Sequence, residues 1–297
     1  RPAANMPGKI ALKIDPRIIA ESMDKITEGS IVVVGTNGKT TITNMIADAL
    51  ERQGKSIACN RTGANLAYGV ATTLLQTKGT VEWGVFESDE LWLAHTLPQV
   101  QADYVLLLNL FRDQLDRYGE VTHTLENIRI GISNSPNATL CLNADDSLIA
   151  SLGRESRNPV LYFGVNVPIY QSRVAEVSDA PYCIECKHEY VYDYVTYGHL
   201  GGYRCPHCGY ARPTPDVAVS AVYSSDTECS KVAFTLDKKE LDAVINLPGG
   251  YNIYNGCASM AAGKALGLPA ELCARALASF SCGFGRMERP RAANDSD

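Results

Sequence analysis

The sequence lacks the long hydrophobic stretches of a membrane protein. No apolar run approaches the roughly 18 residues that a transmembrane helix needs, and residues 1–20 lack the uninterrupted apolar core of a secretory signal peptide. An excess of positive charge is also missing, because the net charge is −6. A nucleic-acid-binding surface needs clustered lysine and arginine. We therefore expect a cytoplasmic protein that does not bind nucleic acid.

Apolar patterning indicates the fold class. Short β-branched runs alternate with helical patterns through the first half, which is typical of parallel strands joined by crossover helices. The predicted strands are residues 31–34, 56–59, 81–86, 104–108, 139–142, 160–163, 217–222, 231–236 and 241–247. The main predicted helices are residues 40–52, 252–266 and 270–280. This order predicts an α/β fold with a doubly wound, mostly parallel sheet and a smaller set of antiparallel strands.

A phosphate-binding loop is predicted between the first strand and the helix that follows it. Residues 35–41 read Gly-Thr-Asn-Gly-Lys-Thr-Thr, and glycines in this setting let backbone N–H groups approach a polyphosphate. Lys39 can neutralise phosphate charge, and the Thr40 hydroxyl can coordinate Mg²⁺. Val33 stands where the full spacing asks for glycine, so the loop is a shortened version. The predicted nucleotide-binding residues of the loop are Gly35, Thr36, Asn37, Gly38, Lys39, Thr40 and Thr41.

This loop resembles the ATP loop of the Mur ligases and of folylpolyglutamate synthases. Further segments are similar to other Mur ligase motifs in the same order, namely residues 109–119, 143–146, 248–255 and 285–288. The resemblance implies a Mur ligase central ATPase domain over residues 1–289. It also implies that Asn252, Asn255 and Arg286 bind the nucleotide.

Glu87 follows an apolar run, at the carboxyl end of a predicted strand where open α/β sheets bind ligands. Mur ligases have a glutamate here that helps to hold Mg²⁺, so the resemblance implies magnesium on Thr40 and Glu87 and catalytic roles for Lys39 and Glu87. A solvated acidic loop at residues 87–90 is the alternative interpretation. Gln114 stands where most family members have a histidine ligand for a second magnesium. A neutral amide oxygen is a weaker ligand.

Four of the ten cysteines form two Cys-x-x-Cys pairs inside residues 170–215, where the α/β pattern is interrupted. The pairs are Cys183 with Cys186 and Cys205 with Cys208, and 18 residues separate them. This spacing is typical of a tetrahedral zinc site. Four thiolates leave no open coordination position, so we predict an inserted zinc ribbon with a structural zinc ion. Two disulfides are the alternative, which a cytoplasmic location disfavours.

The length of the sequence before the ATP loop helps to distinguish between types of Mur ligase. About 35 residues precede the ATP loop, too few for the UDP-binding domain of the amino-acid-adding Mur ligases. Together with the cysteine ribbon, this resembles the synthetase subunit of lipid II isoglutaminyl synthases. The resemblance implies ATP-dependent amidation of the D-glutamate α-carboxylate of lipid II at the inner membrane face. The enzyme would be a heterodimer, in which a GatD-like glutaminase supplies the ammonia.

The sequence ends soon after the last Mur ligase motif. Mur ligases continue after the motif at residues 285–288 into a third domain, which we expect to be absent from this chain. These 297 residues are therefore expected to bind nucleotide without being competent alone. Residues 290–297 are a polar, patternless tail.

Three other functions stay open from the sequence. A folate-type carboxylate–amine ligase shares the ATP loop and also lacks the front domain, but the cysteine ribbon counts against it. A zinc-ribbon nucleic-acid-binding ATPase would show a steep salt dependence, and the acidic charge counts against it. A non-catalytic scaffold would use ATP only for assembly, which the intact Lys39, Thr40 and Glu87 make less favourable.

Overall fold

The computed structural model describes residues 5–111, 120–169 and 180–281. Its helices are α1 (Met6–Ile14), α2 (Ile18–Ser22), α3 (Lys39–Arg52), α4 (Ala67–Gln76), α5 (Leu93–Val100), α6 (Glu120–Ser133), α7 (Ser147–Glu155), α8 (Gly250–Ala265) and α9 (Ala270–Ser279). Its strands are β1 (Ile26–Val34), β2 (Ile57–Cys59), β3 (Val81–Glu87), β4 (Tyr104–Leu107), β5 (Thr139–Asn143), β6 (Val160–Val165), β7 (Val191–Tyr197), β8 (Leu200–Arg204), β9 (Val217–Ser225), β10 (Ser230–Leu236) and β11 (Lys239–Ile245).

In the part of the chain that the structure describes, the main sheet has nine strands in the order β11-β10-β9-β6-β5-β4-β1-β3-β2. Neighbouring strands from β9 to β2 run parallel, whereas β10 pairs antiparallel with both β9 and β11. The predicted α/β fold with a mostly parallel sheet is therefore confirmed. The antiparallel strands extend the same sheet, because β9 pairs in parallel with β6.

Both faces of this sheet are covered, as a fully buried β1 requires. Ile31 and Val33 face a core that includes residues of α3, α8 and α9. Val32 and Val34 face a second core that includes residues of α4, α5 and α6. These four side chains are fully buried, and burial of each contributes about 1.5–3 kcal/mol. A strand with one face in water alternates apolar and polar residues, whereas a strand buried on both faces is apolar throughout. The continuous apolar run of β1 therefore predicted burial on both faces.

The sheet topology positions a binding site beside β1. The chain leaves β1 for β2 and β3 on one side, then crosses to β4 on the other. Loops that follow β1 and β4 therefore depart in opposite directions and leave a crevice at the carboxyl ends of the strands. The predicted phosphate loop follows β1, so the fold places it at this crevice.

The N-terminal helices were not predicted from the sequence. Helix α1 packs closely on α4, because the Gly8 N–H donates to Thr72 Oγ1 at 2.9 Å and a Cβ on Gly8 would overlap the Tyr68 carbonyl. None of the helices in the three described stretches combines the length and apolar character that crossing a bilayer requires.

A second, two-stranded sheet is formed by β7 and β8. Isolated bridges join Tyr182 to Glu189 and Arg204 to Ala211 beside it. We call residues 180–212 the cysteine module, because all four paired cysteines lie in it. The predicted domain limits, 1–289 and 170–215, include residues outside the described stretches and stay predictions. The predicted tail at 290–297 also lies outside them.

Candidate nucleotide-binding site and cysteine cluster

The predicted phosphate loop joins β1 to α3. Gly35 and Gly38 have positive φ angles of 144° and 92°, which glycine adopts without steric cost. Space also requires glycine at position 38, because a Cβ there would collide with Asn255 Oδ1 on α8. Helix α3 begins at Lys39, so its first N–H groups are directed towards the loop. This arrangement can bind an anion such as a phosphate group.

Asn109, which lies just after β4, holds the loop in shape. Its Oδ1 accepts from the Asn37 N–H at 2.9 Å, and its Nδ2 donates to the Asn37 carbonyl at 3.1 Å. Its own carbonyl accepts from the Thr36 N–H at 3.0 Å. The Thr36 hydroxyl accepts in turn from the Phe111 N–H at 3.0 Å. The loops after β1 and β4 are therefore joined on both side-chain and main-chain atoms.

Lys39 is held at the loop by one carboxylate and by main-chain carbonyls. Its Nζ forms an ion pair with Glu90 Oε2 at 3.0 Å and donates to the Gly35 carbonyl. Both charged side chains are largely buried, with 12% of Lys39 and 16% of Glu90 exposed. A phosphate bound here would compete with Glu90 for the ammonium group, because both are anions.

Glu87 is the last residue of β3 and is only 1% exposed, which excludes a solvated loop for this residue. Asn60 fixes its backbone, since Asn60 Nδ2 donates to the Glu87 carbonyl at 3.0 Å and Asn60 Oδ1 accepts from its N–H at 2.8 Å. A Cβ built on Gly63 would lie 3.3 Å from Thr40 Oγ1 and 3.7 Å from Glu87 Oε1. A hydroxyl and a carboxylate thus face one small space. These are oxygen ligands of the kind that Mg²⁺ prefers.

A cavity of about 340 Å³ adjoins the loop. Its lining combines the loop, the segment after β4, the β7–β8 hairpin and α8: Asn37, Gly38, Thr41, Asn109, Phe111, Tyr197, Leu200, Tyr251, Asn252, Tyr254 and Asn255. The two α8 asparagines are connected, because Asn255 Nδ2 donates to Asn252 Oδ1 at 2.7 Å. Asn252 Nδ2 donates to the Pro248 carbonyl at 2.7 Å. The volume suits a small-molecule ligand.

The four predicted zinc ligands converge in the cysteine module. All four Sγ atoms lie within 4.8 Å of one another, and Cys183 lies 3.6 Å from Cys208 while Cys186 lies 3.4 Å from Cys205. A disulfide bond is about 2.0 Å long, so the cysteines are unbonded thiols in this arrangement. Four sulfurs around a zinc ion at about 2.3 Å would lie at similar separations. The cluster therefore fits a tetrahedral metal.

Each cysteine pair sits in a tight turn. The Lys187 N–H donates to the Cys183 carbonyl at 2.9 Å, and the Gly209 N–H donates to the Cys205 carbonyl at 3.1 Å. Lys187 and Gly209 both adopt a left-handed backbone, with φ of 64° and 78°. Two equivalent turns present their thiols to the same point.

The cysteine module is anchored to the residues after β5 through Asp145. This fully buried carboxylate pairs with Arg212 and accepts from the Tyr254 hydroxyl at 2.6 Å and the Val165 N–H at 2.9 Å. Desolvation alone would lower the pKa of the Arg212 guanidinium. The neighbouring Asp145 carboxylate outweighs this effect, so the pKa lies above its usual value. One buried ion pair therefore connects the module to β6 and to α8.

Asp146 makes a second anchor. Its Oδ1 accepts from the Leu148 N–H at 3.0 Å at the start of α7, and its Oδ2 accepts from the Leu110 N–H at 2.8 Å. The same Oδ2 lies 3.4 Å from His199 Nε2 in the hairpin turn, and both side chains are fully buried. The motif at residues 143–146 thus connects the sheet, the module and the segment after β4.

Comparison with known proteins identifies the family of this chain. Residues 33–187 match the Mur ligase middle domain family, which is more than half of the chain. The chain belongs to the Mur ligase family. It is also similar to solved Mur ligase folds. One is a pseudomurein peptide ligase type C from Methanothermus fervidus, with a TM-score of 0.72 and 22% identity over 89% of this chain and 51% of that one. Another is MurF from Acinetobacter baumannii, with a TM-score of 0.68 and 16% identity over 93% of this chain and 51% of that one.

Two curated relatives have a more specific name, lipid II isoglutaminyl synthase (glutamine-hydrolyzing) subunit MurT. The Streptococcus pneumoniae protein is 33% identical over 289 residues, and the Staphylococcus aureus (strain COL) protein is 30% identical over 288 residues. Both alignments cover 96% of this chain and 63% of the relative. The Mur ligase chain thus spans less than two thirds of the length of these two relatives.

Several site residues were missed by the sequence analysis, and two predicted ones lie outside the described residues. Asn60, Gly63 and Tyr197 carry no local signal, because their roles depend on contacts with distant segments. Arg286 and Gln114 fall outside the described stretches, so their roles stay predictions.

Proposed function

We propose that this Mur ligase chain is the ATP-binding part of a lipid II isoglutaminyl synthase, which converts the D-glutamate α-carboxylate of the stem peptide to an amide. The main support for the proposal is that Lys39, Thr40 and Glu87 lie around one loop, beside a cavity of ligand size. The names of the two relatives supply the substrate. They also disfavour a folate-type ligase.

The proposed reaction begins with the nucleotide. The phosphates would lie on the loop N–H groups at the start of α3, and Lys39 would exchange Glu90 for phosphate oxygens. Mg²⁺ on Thr40 and Glu87 would neutralise phosphate charge. Binding in this orientation would present the γ-phosphoryl group to the incoming carboxylate.

Phosphoryl transfer solves a chemical problem, because a carboxylate is a poor electrophile. A carboxylate oxygen attacks the γ-phosphorus, the bond to the β-phosphate oxygen breaks, and ADP leaves. Ammonia then attacks the acyl carbon of the acyl phosphate and loses a proton. Phosphate departs with the former carboxylate oxygen, which leaves the carboxamide. The loop residues would stabilise the negative charge that develops during the transfer.

The remaining parts of the proposal concern zinc, partner and location. The four cysteines of the module would hold a structural zinc ion, in agreement with their convergence. A GatD-like glutaminase would supply ammonia in a heterodimer, since the relatives are described as glutamine-hydrolyzing. The lipid substrate would place the reaction at the inner membrane face.

The test uses the full-length protein with lipid II, Mg²⁺-ATP and ammonium, followed by mass spectrometry of the stem peptide. We expect a change from carboxylate to carboxamide mass on D-glutamate. Lys39→Ala should abolish it, whereas Lys264→Ala, which removes a lysine paired with Asp237 outside the cavity lining, should not. An unchanged peptide from protein that binds ATP would contradict the proposal and redirect the search to small carboxylic acids.

A further inference from the structure

The β7–β8 hairpin reaches from the cysteine cluster to the nucleotide cavity. Cys205 follows β8 directly, whereas Tyr197 and Leu200 lie at the other end of the hairpin and line the cavity. A strand rises about 3.3 Å per residue, so the five residues of β8 span roughly 17 Å. A module predicted only to hold a structural metal thus contributes part of the wall of another site.

This part of the cavity wall is aromatic and apolar. The Tyr197 ring meets Phe111 edge to face, with centroids 5.6 Å apart, and Phe111 also contacts His199 at 4.8 Å. Leu200 is buried beside them. The phosphate loop lies elsewhere on the lining, together with the asparagines of α8. Aromatic faces bind flat bases by stacking, so the hairpin side suits the base of a nucleotide whose phosphates occupy the loop.

The position of Tyr197 depends on a chain of contacts through the module. The preceding residue, Thr196, hydrogen-bonds through its hydroxyl to the Tyr254 hydroxyl, which donates to Asp145. The Tyr192 hydroxyl donates to the His199 carbonyl in the turn at 3.1 Å. These bonds fix the tip of the hairpin relative to α8, which lines the same cavity.

The other end of the hairpin depends on the cysteines. Its small core contains six buried residues, two of which are cluster cysteines: Ala150, Cys183, Tyr190, Tyr203, Cys205 and Tyr210. Only Ala150 of this core comes from outside the module, on α7, and small modules of this kind depend on their metal for stability. Loss of metal would therefore loosen β7 and β8 at their cysteine end, and would leave the contacts at the tip as the remaining support for Tyr197.

We propose that the cysteine module forms the base-binding wall of the nucleotide site, with Tyr197 as its contact residue, and that metal at the four cysteines raises nucleotide affinity. This inference rests on the proposed ATP site, because the phosphate loop must hold the rest of the ligand. Coupling between two sites is reciprocal. Nucleotide should therefore raise zinc affinity by the same factor as zinc raises nucleotide affinity.

The first test measures ATP binding by calorimetry in the zinc-loaded, full-length protein. Loss of one stacking contact corresponds to about a tenfold weaker affinity. We therefore expect Tyr197→Ala to bind ATP about tenfold more weakly than wild type, and Tyr197→Phe to bind it with near wild-type affinity. Tyr223→Ala is the matched control, because Tyr223 is 61% exposed and does not line the cavity. Mg²⁺-tripolyphosphate, which has no base, should bind wild type and Tyr197→Ala equally.

The second test measures zinc affinity by competition with a chromophoric chelator, with and without ATP. ATP should raise the zinc affinity of wild type and Tyr223→Ala about tenfold, and that of Tyr197→Ala clearly less. Wild-type protein that fails to bind ATP would overturn the proposed function itself. ATP binding that is unchanged in Tyr197→Ala, or zinc affinity that is independent of ATP, would overturn this inference and leave the proposed function standing.

Discussion

The substitution Asp145→Asn tests whether the buried ion pair connects the cysteine module to the domain. Asp145 is fully buried and its partner Arg212 is only 13% exposed. The substitution keeps the side-chain shape but leaves the guanidinium without a countercharge. It also turns an amide NH₂ towards donors such as the Tyr254 hydroxyl. Removing one partner of a buried pair costs about 3–5 kcal/mol.

The assay is urea unfolding, with free energies of unfolding extrapolated to water. Asp237→Asn is the matched control, because Asp237 is 71% exposed and its pair with Lys264 should contribute about 0–1 kcal/mol. Adding Arg212→Met to Asp145→Asn should recover part of the loss, since no unpaired charge then remains buried. A loss from Asp145→Asn no larger than that from Asp237→Asn would show that the buried ion pair does not stabilise the attachment of the module.

Three other outcomes are expected. Gly38→Ala should weaken ATP binding at least tenfold, because a Cβ meets Asn255 where φ is positive; Gly54→Ala, also at positive φ but in open space, should leave calorimetric affinity unchanged. Glu87→Gln should raise the Mg²⁺ concentration needed for half-maximal ATP binding, and an unchanged requirement would contradict the magnesium assignment. Burial raises the pKa of Cys141 to about 12, so at pH 8 the thiol stays protonated and peptide mass mapping should show iodoacetamide labelling only after urea unfolding.

Local features of the fold could be predicted from the sequence. The run at residues 31–34 is β-branched and apolar, which predicted a strand buried on both faces, and the loop after it could be located to the residue. Helix α1 was missed because a nine-residue segment with two lysines and an early proline gives only a weak helical signal. The prediction missed the first five residues of β1, which begins at Ile26, because Thr27 and Glu28 are exposed and polar and interrupt the apolar run. It also missed the end of β9 and both strands of the β7–β8 hairpin, whereas the other strand limits agree within two residues.

Contacts between distant segments could not be predicted in this way. Asn109 and Asn37 are 72 positions apart, and only the parallel pairing of β1 with β4 brings them together. The ion pair between Lys39 and Glu90 likewise needs β3 beside β1. Spacing identified the four cysteines as one cluster, but it carries no information about which surface their hairpin would meet. The place of Tyr197 in the cavity is therefore a result of the structure alone.

The proposed reaction activates a carboxylate as an acyl phosphate at this loop. The most direct measurement supplies the full-length protein with lipid II labelled with ¹⁸O in the D-glutamate α-carboxylate, together with Mg²⁺-ATP and ammonium, and determines the isotope content of the released phosphate. We expect one ¹⁸O atom to be transferred to phosphate for each amide formed. Amide formation with unlabelled phosphate would exclude an acyl phosphate.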